Sequence, residues 1–112
     1  TSVNDTFVMN AWFEQQGIEK VKPLPDGNGE LARQLGLLVK KENLGFGLRS
    51  WRYAMLVVDG TVELMNIEPN LSDNCETDPY EKSKPEVFLE EVRDHFGLNF
   101  VTNDSEESDN EE

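Results

Sequence analysis

A β-hairpin is the element that this sequence specifies most clearly. Two apolar runs, Tyr53–Val58 and Thr61–Ile67, flank the dipeptide Asp59-Gly60. Asp-Gly between two such runs is a strong signal for a two-residue hairpin turn, because the turn needs a positive φ at both central positions. In the first run both alternating sets of side chains are apolar. This pattern predicts a strand that is buried on both faces and therefore central in a sheet.

Two arginines, Arg49 and Arg52, stand just before this hairpin. A guanidinium group keeps its charge at any working pH, and its burial is costly unless an anion compensates it. Position alone leaves two interpretations open. Either an arginine holds a thiolate, carboxylate or phosphate in a functional site, or both are surface residues that pair with some of the many carboxylates. Short motifs are weak support for the first.

Helical segments and short strands surround the hairpin along the chain. Asp5 is placed to cap a helix over residues 6–16, and Gly17 is placed to end it. A turn at Pro25-Asp26-Gly27 leads into a short helix over residues 29–35. Short strands are expected to end at Val3 and to cover residues 21–24.

The C-terminal part of the chain combines a helix with an acidic tail. Ser83-Lys84-Pro85-Glu86 predicts a capping box with proline in the first turn, and Gly97 ends the helix. Residues 102–112 contain no apolar side chain, so we expect disorder there. The sequence thus predicts one domain over residues 1–97 and an acidic disordered tail over residues 98–112.

Charge and composition disfavour several classes of function. The formal net charge of −13 makes nucleic acid and anionic membranes poor partners. No apolar run approaches the roughly 18 residues that a membrane span needs. One cysteine cannot form an internal disulfide, so a cytoplasmic, reducing compartment is expected. A single histidine gives a metal site little support, and no cofactor motif is present.

Four ordered segments carry a resemblance to a known family. They are Ser2-Val3-Asn4-Asp5-Thr6-Phe7-Val8-Met9, Pro25-Asp26-Gly27-Asn28-Gly29-Glu30, Leu44-Gly45-Phe46-Gly47-Leu48-Arg49-Ser50-Trp51-Arg52-Tyr53-Ala54-Met55 and Asn66-Ile67-Glu68-Pro69. In order and spacing they resemble type-five peroxiredoxins, and most closely bacterial members, which include proteins fused to glutaredoxin. The resemblance covers residues 1–96. It implies the C-terminal portion of a thioredoxin-like α/β fold, with a mixed sheet and flanking helices.

The sequence also departs from the family pattern. Family members carry a Pro-x-x-x-Thr-x-x-Cys motif, which holds the peroxidatic cysteine, well before the Ser-Val-Asn-Asp turn. This sequence begins at Thr1, next to that turn, and does not contain the motif. We therefore expect the C-terminal half of a peroxiredoxin, with the nucleophile missing and negligible activity of the chain by itself.

The resemblance assigns roles to three residues. Arg52 matches the catalytic arginine of the family, and Arg49 matches a second arginine that supports the same pocket. For Arg49, the other interpretation is a salt bridge that anchors a loop. Cys75 lies near the place where some members carry a resolving cysteine, but an incidental loop cysteine is the favoured interpretation. Its acidic neighbours are expected to raise the pKa of the thiol. They are Asp73, Glu76 and Asp78.

The resemblance implies part of a thiol-dependent peroxidase that reduces hydrogen peroxide and small organic hydroperoxides. A thiol reductant would restore the enzyme, with glutathione, glutaredoxin and thioredoxin left open, and a homodimer is expected. The alternative is a non-catalytic thioredoxin-like module that works by association. The genomic sequence upstream of Thr1 separates the two, because an in-frame Thr-x-x-Cys element supports the enzyme.

Overall fold

The computed structural model describes residues 1–97, which pack as parts of two compact units. The first unit contains Thr1–Arg52 and Pro69–Pro79, and the second contains Tyr53–Glu68 with residues 80–97 of the described chain. The first unit holds α1 (Thr6–Gln16), α2 (Glu30–Gln34), β1 (Leu38–Lys40), a 3-10 turn (Glu42–Leu44) and β2 (Leu48–Ser50). The second unit holds β3 (Tyr53–Val58), β4 (Thr61–Ile67) and α3 (Pro85–His95).

Helix α1 confirms the helix that the capping signals predicted. The Asp5 carboxylate accepts a hydrogen bond from the Val8 amide at 2.8 Å, and Gly17 ends the helix in the left-handed region with φ of 69°. Only Met9 of this helix is buried in the described structure, whereas Phe7 is 84% exposed. Within residues 1–97, α1 therefore leaves most of its apolar side chains at the surface.

The two short strands predicted near Val3 and over residues 21–24 were wrong as strands. The structure shows one isolated parallel bridge there, between Ser2 and Pro25. For residues 21–24, Pro23 and Pro25 explain the difference, because proline has no N–H group to donate to a strand ladder. The sequence pattern was apolar enough for a strand, but its backbone cannot form the repeated hydrogen bonds.

Asp26 organises the short helix α2 from outside its first turn. Its carboxylate accepts hydrogen bonds from the amides of Leu31 and Ala32, each at 3.0 Å. Burial raises the pKa of this carboxyl, but the hydrogen bonds from Ala32, Leu31 and Glu30 outweigh that effect. The pKa of Asp26 therefore lies below its ordinary value.

Strands β1 and β2 form an antiparallel ribbon that carries part of the core of the first unit. Val39 lies opposite Arg49 in this ribbon, and the Trp51 amide extends the pairing by donating to the Leu37 carbonyl at 2.7 Å. Leu37, Val39 and Trp51 are all buried. The ribbon thus fixes the backbone on both sides of Arg49 and up to the residue before Arg52.

The hairpin of β3 and β4 is confirmed, with Tyr53 opposite Ile67 and positive φ angles at Asp59 (52°) and Gly60 (79°). The central position predicted for β3 was wrong for the described chain. Among residues 1–97, β3 pairs with β4 alone, and Val57 is 48% exposed. The apolar pattern of β3 allowed burial on both faces, but no other described strand pairs with its second edge.

Helix α3 forms as predicted, but the predicted capping box was wrong. Lys84 is the N-cap, with no side-chain cap, because the Ser83 hydroxyl instead donates to the Glu68 carboxylate at 2.7 Å. The same oxygen of Glu68 accepts from the amides of Glu81 and Ser83 at 3.0 and 2.7 Å. Burial raises the pKa of Glu68, but these hydrogen bonds outweigh it and hold the pKa below its ordinary value. The predicted tail, residues 98–112, lies outside the described residues.

The part of the chain that the structure describes contains no helix that is long and apolar enough to cross a membrane.

Candidate active site

Arg52 directly follows the β1–β2 ribbon and points its guanidinium at a carboxylate. Its Nη2 atom lies 2.8 Å from Oδ2 of Asp78. The side chain is 44% exposed, whereas the preceding residue, Trp51, is buried. The buried indole therefore anchors the backbone, and the adjacent guanidinium stays accessible to a small molecule.

Arg49 is engaged mainly with backbone carbonyls rather than with a carboxylate. Its Nη1 atom donates to the Val3 carbonyl at 2.6 Å and to Oδ1 of Asn4 at 3.2 Å. Its Nε atom donates to the Phe46 carbonyl at 3.0 Å. Arg49 thus ties the segment before α1 to the loop before β2, and its predicted part in catalysis stays a prediction.

Lys41 lies beside Asp78 and Trp51, although the sequence interpretation assigned it no role. It is only 9% exposed, its Nζ atom lies 3.9 Å from Oδ1 of Asp78, and the same atom lies 5.7 Å from the centre of the Trp51 ring. A signal was present in the sequence. Leu37, Val39 and Lys41 alternate along an extended segment, so their side chains share one face, and the lysine follows two buried residues on that face.

These side chains border an open cavity of about 190 Å³ in the first unit. Its charged groups are Lys41, Arg49, Arg52 and Asp78, and its apolar wall includes Phe46 and Trp51. The liquid volume of one water is about 30 Å³, so the cavity has room for a small organic molecule. A site of this kind can bind a small polar group at its cationic side and an alkyl or aryl group against its wall.

Cys75 lies in the loop that follows β4, and its thiol differs from the sequence expectation. A hydrogen bond with the Thr77 hydroxyl, with Sγ and Oγ1 3.4 Å apart, lowers the pKa of this thiol, and the Thr77 backbone and the charge of Lys41 act in the same direction. The expected rise was wrong because the hydrogen bonds with Thr77 outweigh the effect of burial, which raises the pKa. Asp73 accepts from the Lys40 amide at 2.8 Å, and Asp78 faces Arg52. The possible role of Cys75 as a resolving cysteine stays a prediction.

Within residues 1–97, no group of three or more histidine, cysteine, aspartate or glutamate side chains is arranged to hold a metal ion. The candidate site is the cationic cluster of Lys41, Arg49 and Arg52 with Asp78.

Comparison with known proteins shows the family to which this chain belongs. The Redoxin family model matches residues 1–83, and the chain belongs to the redoxin family, with its thioredoxin-like α/β fold. The curated relatives are peroxiredoxins. Peroxiredoxin y4vD of Sinorhizobium fredii is 58% identical over 92 residues, which cover 82% of this chain and 49% of that protein. The hybrid peroxiredoxin hyPrx5 of Haemophilus influenzae is 54% identical over 88 residues, or 79% of this chain and 35% of that protein.

Solved structures give the same result. The structure of reduced Prx3 from Vibrio vulnificus in complex with H₂O₂ has a TM-score of 0.72 and 38% sequence identity, covering 85% of this chain and 54% of that one. The resemblance to peroxiredoxins, hybrid members included, is thereby confirmed. The chain spans about half the length of the Sinorhizobium relative and about a third of the length of the Haemophilus relative.

Proposed function

We propose that the complete protein is a thiol-dependent peroxidase that reduces hydrogen peroxide and small organic hydroperoxides, and that this chain supplies the arginine side of its active site. One observation carries the proposal. The guanidinium of Arg52, in the segment that resembles the catalytic segment of peroxiredoxins, stands at the edge of a cavity of about 190 Å³. The H₂O₂ complex of the Vibrio relative supports peroxide as the substrate class.

The proposed chemistry needs a thiolate and a fixed positive charge. The thiolate sulfur of a cysteine in the complete protein attacks one peroxide oxygen, so that an S–O bond forms and the O–O bond breaks. The second oxygen takes up a proton and leaves as water or alcohol, and the sulfur becomes a sulfenic acid. A neighbouring guanidinium favours the thiolate over the thiol. It also stabilises the negative charge that develops on the leaving oxygen.

The partners of the complete protein follow from the same proposal. A thiol reductant must return the sulfenic acid to the thiol, and the hybrid relative favours a glutaredoxin-type donor, with glutathione and thioredoxin as the other candidates. A homodimer is supported by exposed apolar side chains in the first unit, such as Phe7 (84%), Leu44 (55%) and Phe46 (55%). A cytoplasmic location is consistent with a single cysteine in this chain.

Peroxide consumption by the complete protein tests the proposal. We expect consumption of H₂O₂ and of cumene hydroperoxide that requires a thiol reductant, with a sulfenic acid trapped by dimedone when the reductant is left out. The 112-residue chain serves as a comparison and should consume negligible peroxide. A complete protein that consumes neither peroxide with glutathione, glutaredoxin or thioredoxin would contradict the enzyme and favour the non-catalytic association module.

A further inference from the structure

We infer that Asp78 is a positioning residue for Arg52, and that it orients the guanidinium toward the cavity by bridging it to Lys41. The inference rests on the proposed function, because it names a residue that serves the same site. The sequence assigned neither Asp78 nor Lys41 a part in the arginine site.

The two oxygens of the Asp78 carboxylate face two different cations. Oδ2 lies 2.8 Å from Nη2 of Arg52, and Oδ1 lies 3.9 Å from Nζ of Lys41. The shorter contact is a charge-assisted hydrogen bond, which has directional preference as well as Coulomb attraction. A carboxylate that also contacts Lys41 is itself restrained. It therefore restricts the plane of the Arg52 guanidinium more than a carboxylate that contacts Arg52 alone.

Lys41 gives this bridge a fixed end. Its backbone amide donates to the Gly47 carbonyl at 2.6 Å, and its side chain is 11% exposed. The ammonium also lies 5.7 Å from the centre of the buried Trp51 ring, a distance at which cations are attracted to an indole face. An isolated exposed ion pair orders its side chains weakly. Here one of the partners is nearly buried, so the carboxylate between them has less freedom.

The loop that carries Asp78 is held against the β1 segment at several points. The Asp73 carboxylate accepts from the Lys40 amide at 2.8 Å, and the Asn74 amide donates to the Lys40 carbonyl at 2.7 Å. The Asn74 side chain accepts from the Asn43 amide at 3.1 Å. Asn74 itself has a φ of 53°, a conformation that asparagine tolerates better than most residues. The loop is therefore anchored at residues 73 and 74, shortly before Asp78.

Orientation matters because a guanidinium acts on a developing charge through directed N–H groups. Without the Asp78 carboxylate, Arg52 keeps its charge but gains rotational freedom. Misplacement of a catalytic group by about 1 Å can cost up to ~10² in rate. Since Arg52 itself remains, we expect Asp78→Asn to lower the rate of peroxide reduction about tenfold.

Three variants of the complete protein test this. Asp78→Asn removes the charge, Asp78→Glu restores a carboxylate, and Asp73→Asn is a matched control that removes another acid from the same loop but keeps an acceptor for the Lys40 amide. We expect the second-order rate with peroxide to fall in Asp78→Asn, to recover largely in Asp78→Glu and to stay within about twofold in the control. The rate of reduction by the thiol donor should not change.

Side-chain NMR of the complete protein supplies a second readout, which a general loss of stability would not reproduce. With ¹⁵N-labelled arginine, the Nη–H signals of Arg52 should broaden or shift in Asp78→Asn, whereas those of Arg49 should not.

If Arg52→Lys lowers the rate of peroxide reduction but Asp78→Asn leaves it unchanged or raises it, the positioning role is wrong and the proposed function stands. If the complete protein reduces no peroxide, the proposed function fails. The inference then fails too if the Arg52 signals are unchanged.

Discussion

At the scale of single residues, one loop brings an acid and a thiol to the cationic cluster. Lys41 connects them, because it lies 3.9 Å from Asp78 and its charge contributes to the lowered pKa of Cys75. The sequence pointed to Arg52 only through its motif, and the catalytic role of this arginine stays a prediction. Lys41 was missed because its pairing with Asp78 spans more than 25 positions of sequence. The effect on Cys75 was reversed because the hydrogen bond with Thr77 outweighs the charges that the sequence pattern emphasised.

The first prediction concerns the thiol of Cys75. The Thr77 hydroxyl stabilises the thiolate, so Thr77→Val should raise the thiol pKa and slow alkylation by iodoacetamide near neutral pH. The pH dependence of ultraviolet thiolate absorbance in the 112-residue chain measures the pKa directly. Ser72→Ala is a weaker comparison, because Ser72 contributes less than Thr77. An equal or lower pKa in Thr77→Val would show that this hydrogen bond does not control the thiol.

At the scale of elements, the capping and turn residues correctly predicted the structures that depend on neighbouring backbone groups. The Asp5 cap, the Gly17 stop and the Asp59-Gly60 turn each depend on neighbouring backbone groups, and α1 and the β3–β4 hairpin formed accordingly. The capping box at Ser83 failed because Glu68, 15 residues earlier, takes the serine hydroxyl. A local pattern cannot reveal that competition, and it also could not show which edges of β3 find a partner.

The second prediction concerns the Glu68 carboxylate, which holds the loop before α3. Its pKa is depressed in the folded state, so its stabilisation is complete above the unfolded pKa, about 4.5, and is lost as pH falls through the folded value. Glu68→Gln should therefore lower the free energy of unfolding by about 1.5–3 kcal/mol at neutral pH, as for hydrogen bonds to charged groups. The difference from wild type should shrink in acid.

Urea unfolding of the complete protein at neutral and at acidic pH measures this difference. Glu81→Gln is the control, because its side chain is 82% exposed and its ion pair with Lys84 contributes little. A Glu68→Gln variant whose loss of stability is the same at both pH values would refute the assignment of this carboxylate as ionised and hydrogen-bonded.

At the scale of the whole molecule, family membership is secure and surface exposure is the main departure from the sequence prediction. The four ordered motifs predicted the redoxin fold because they combine turn residues with the arginine segment in one order and spacing. Secondary-structure propensities alone do not contain that information. They could not predict how much apolar surface the described chain leaves uncovered. Phe7 is 84% exposed and Phe46 is 55% exposed. Such side chains mark contact surfaces when they cluster.

The third prediction follows from that surface. The 112-residue chain should self-associate or unfold with low cooperativity, and Phe7→Ser should reduce association without destabilising the fold, since this side chain is 84% exposed. Light scattering coupled to size exclusion, with thermal unfolding in parallel, measures both properties. Met9→Ser is the contrasting variant, because Met9 is buried and its loss should destabilise the first unit. A wild-type chain that is monomeric and cooperative would contradict this prediction.

The most direct test of the central claim is the second-order rate of peroxide reduction in the complete protein with Arg52→Lys. Lysine keeps the charge but loses the planar fork that can contact sulfur and peroxide oxygen together. We expect a loss of roughly 10²–10³ in rate, as for removal of one oxyanion donor, together with a higher thiol pKa. Arg49→Lys, which loses hydrogen bonds to Val3 and Phe46, should cost less. If Arg52→Lys leaves both the rate and the thiol pKa within about twofold of wild type, another residue holds the thiolate and the claim is wrong.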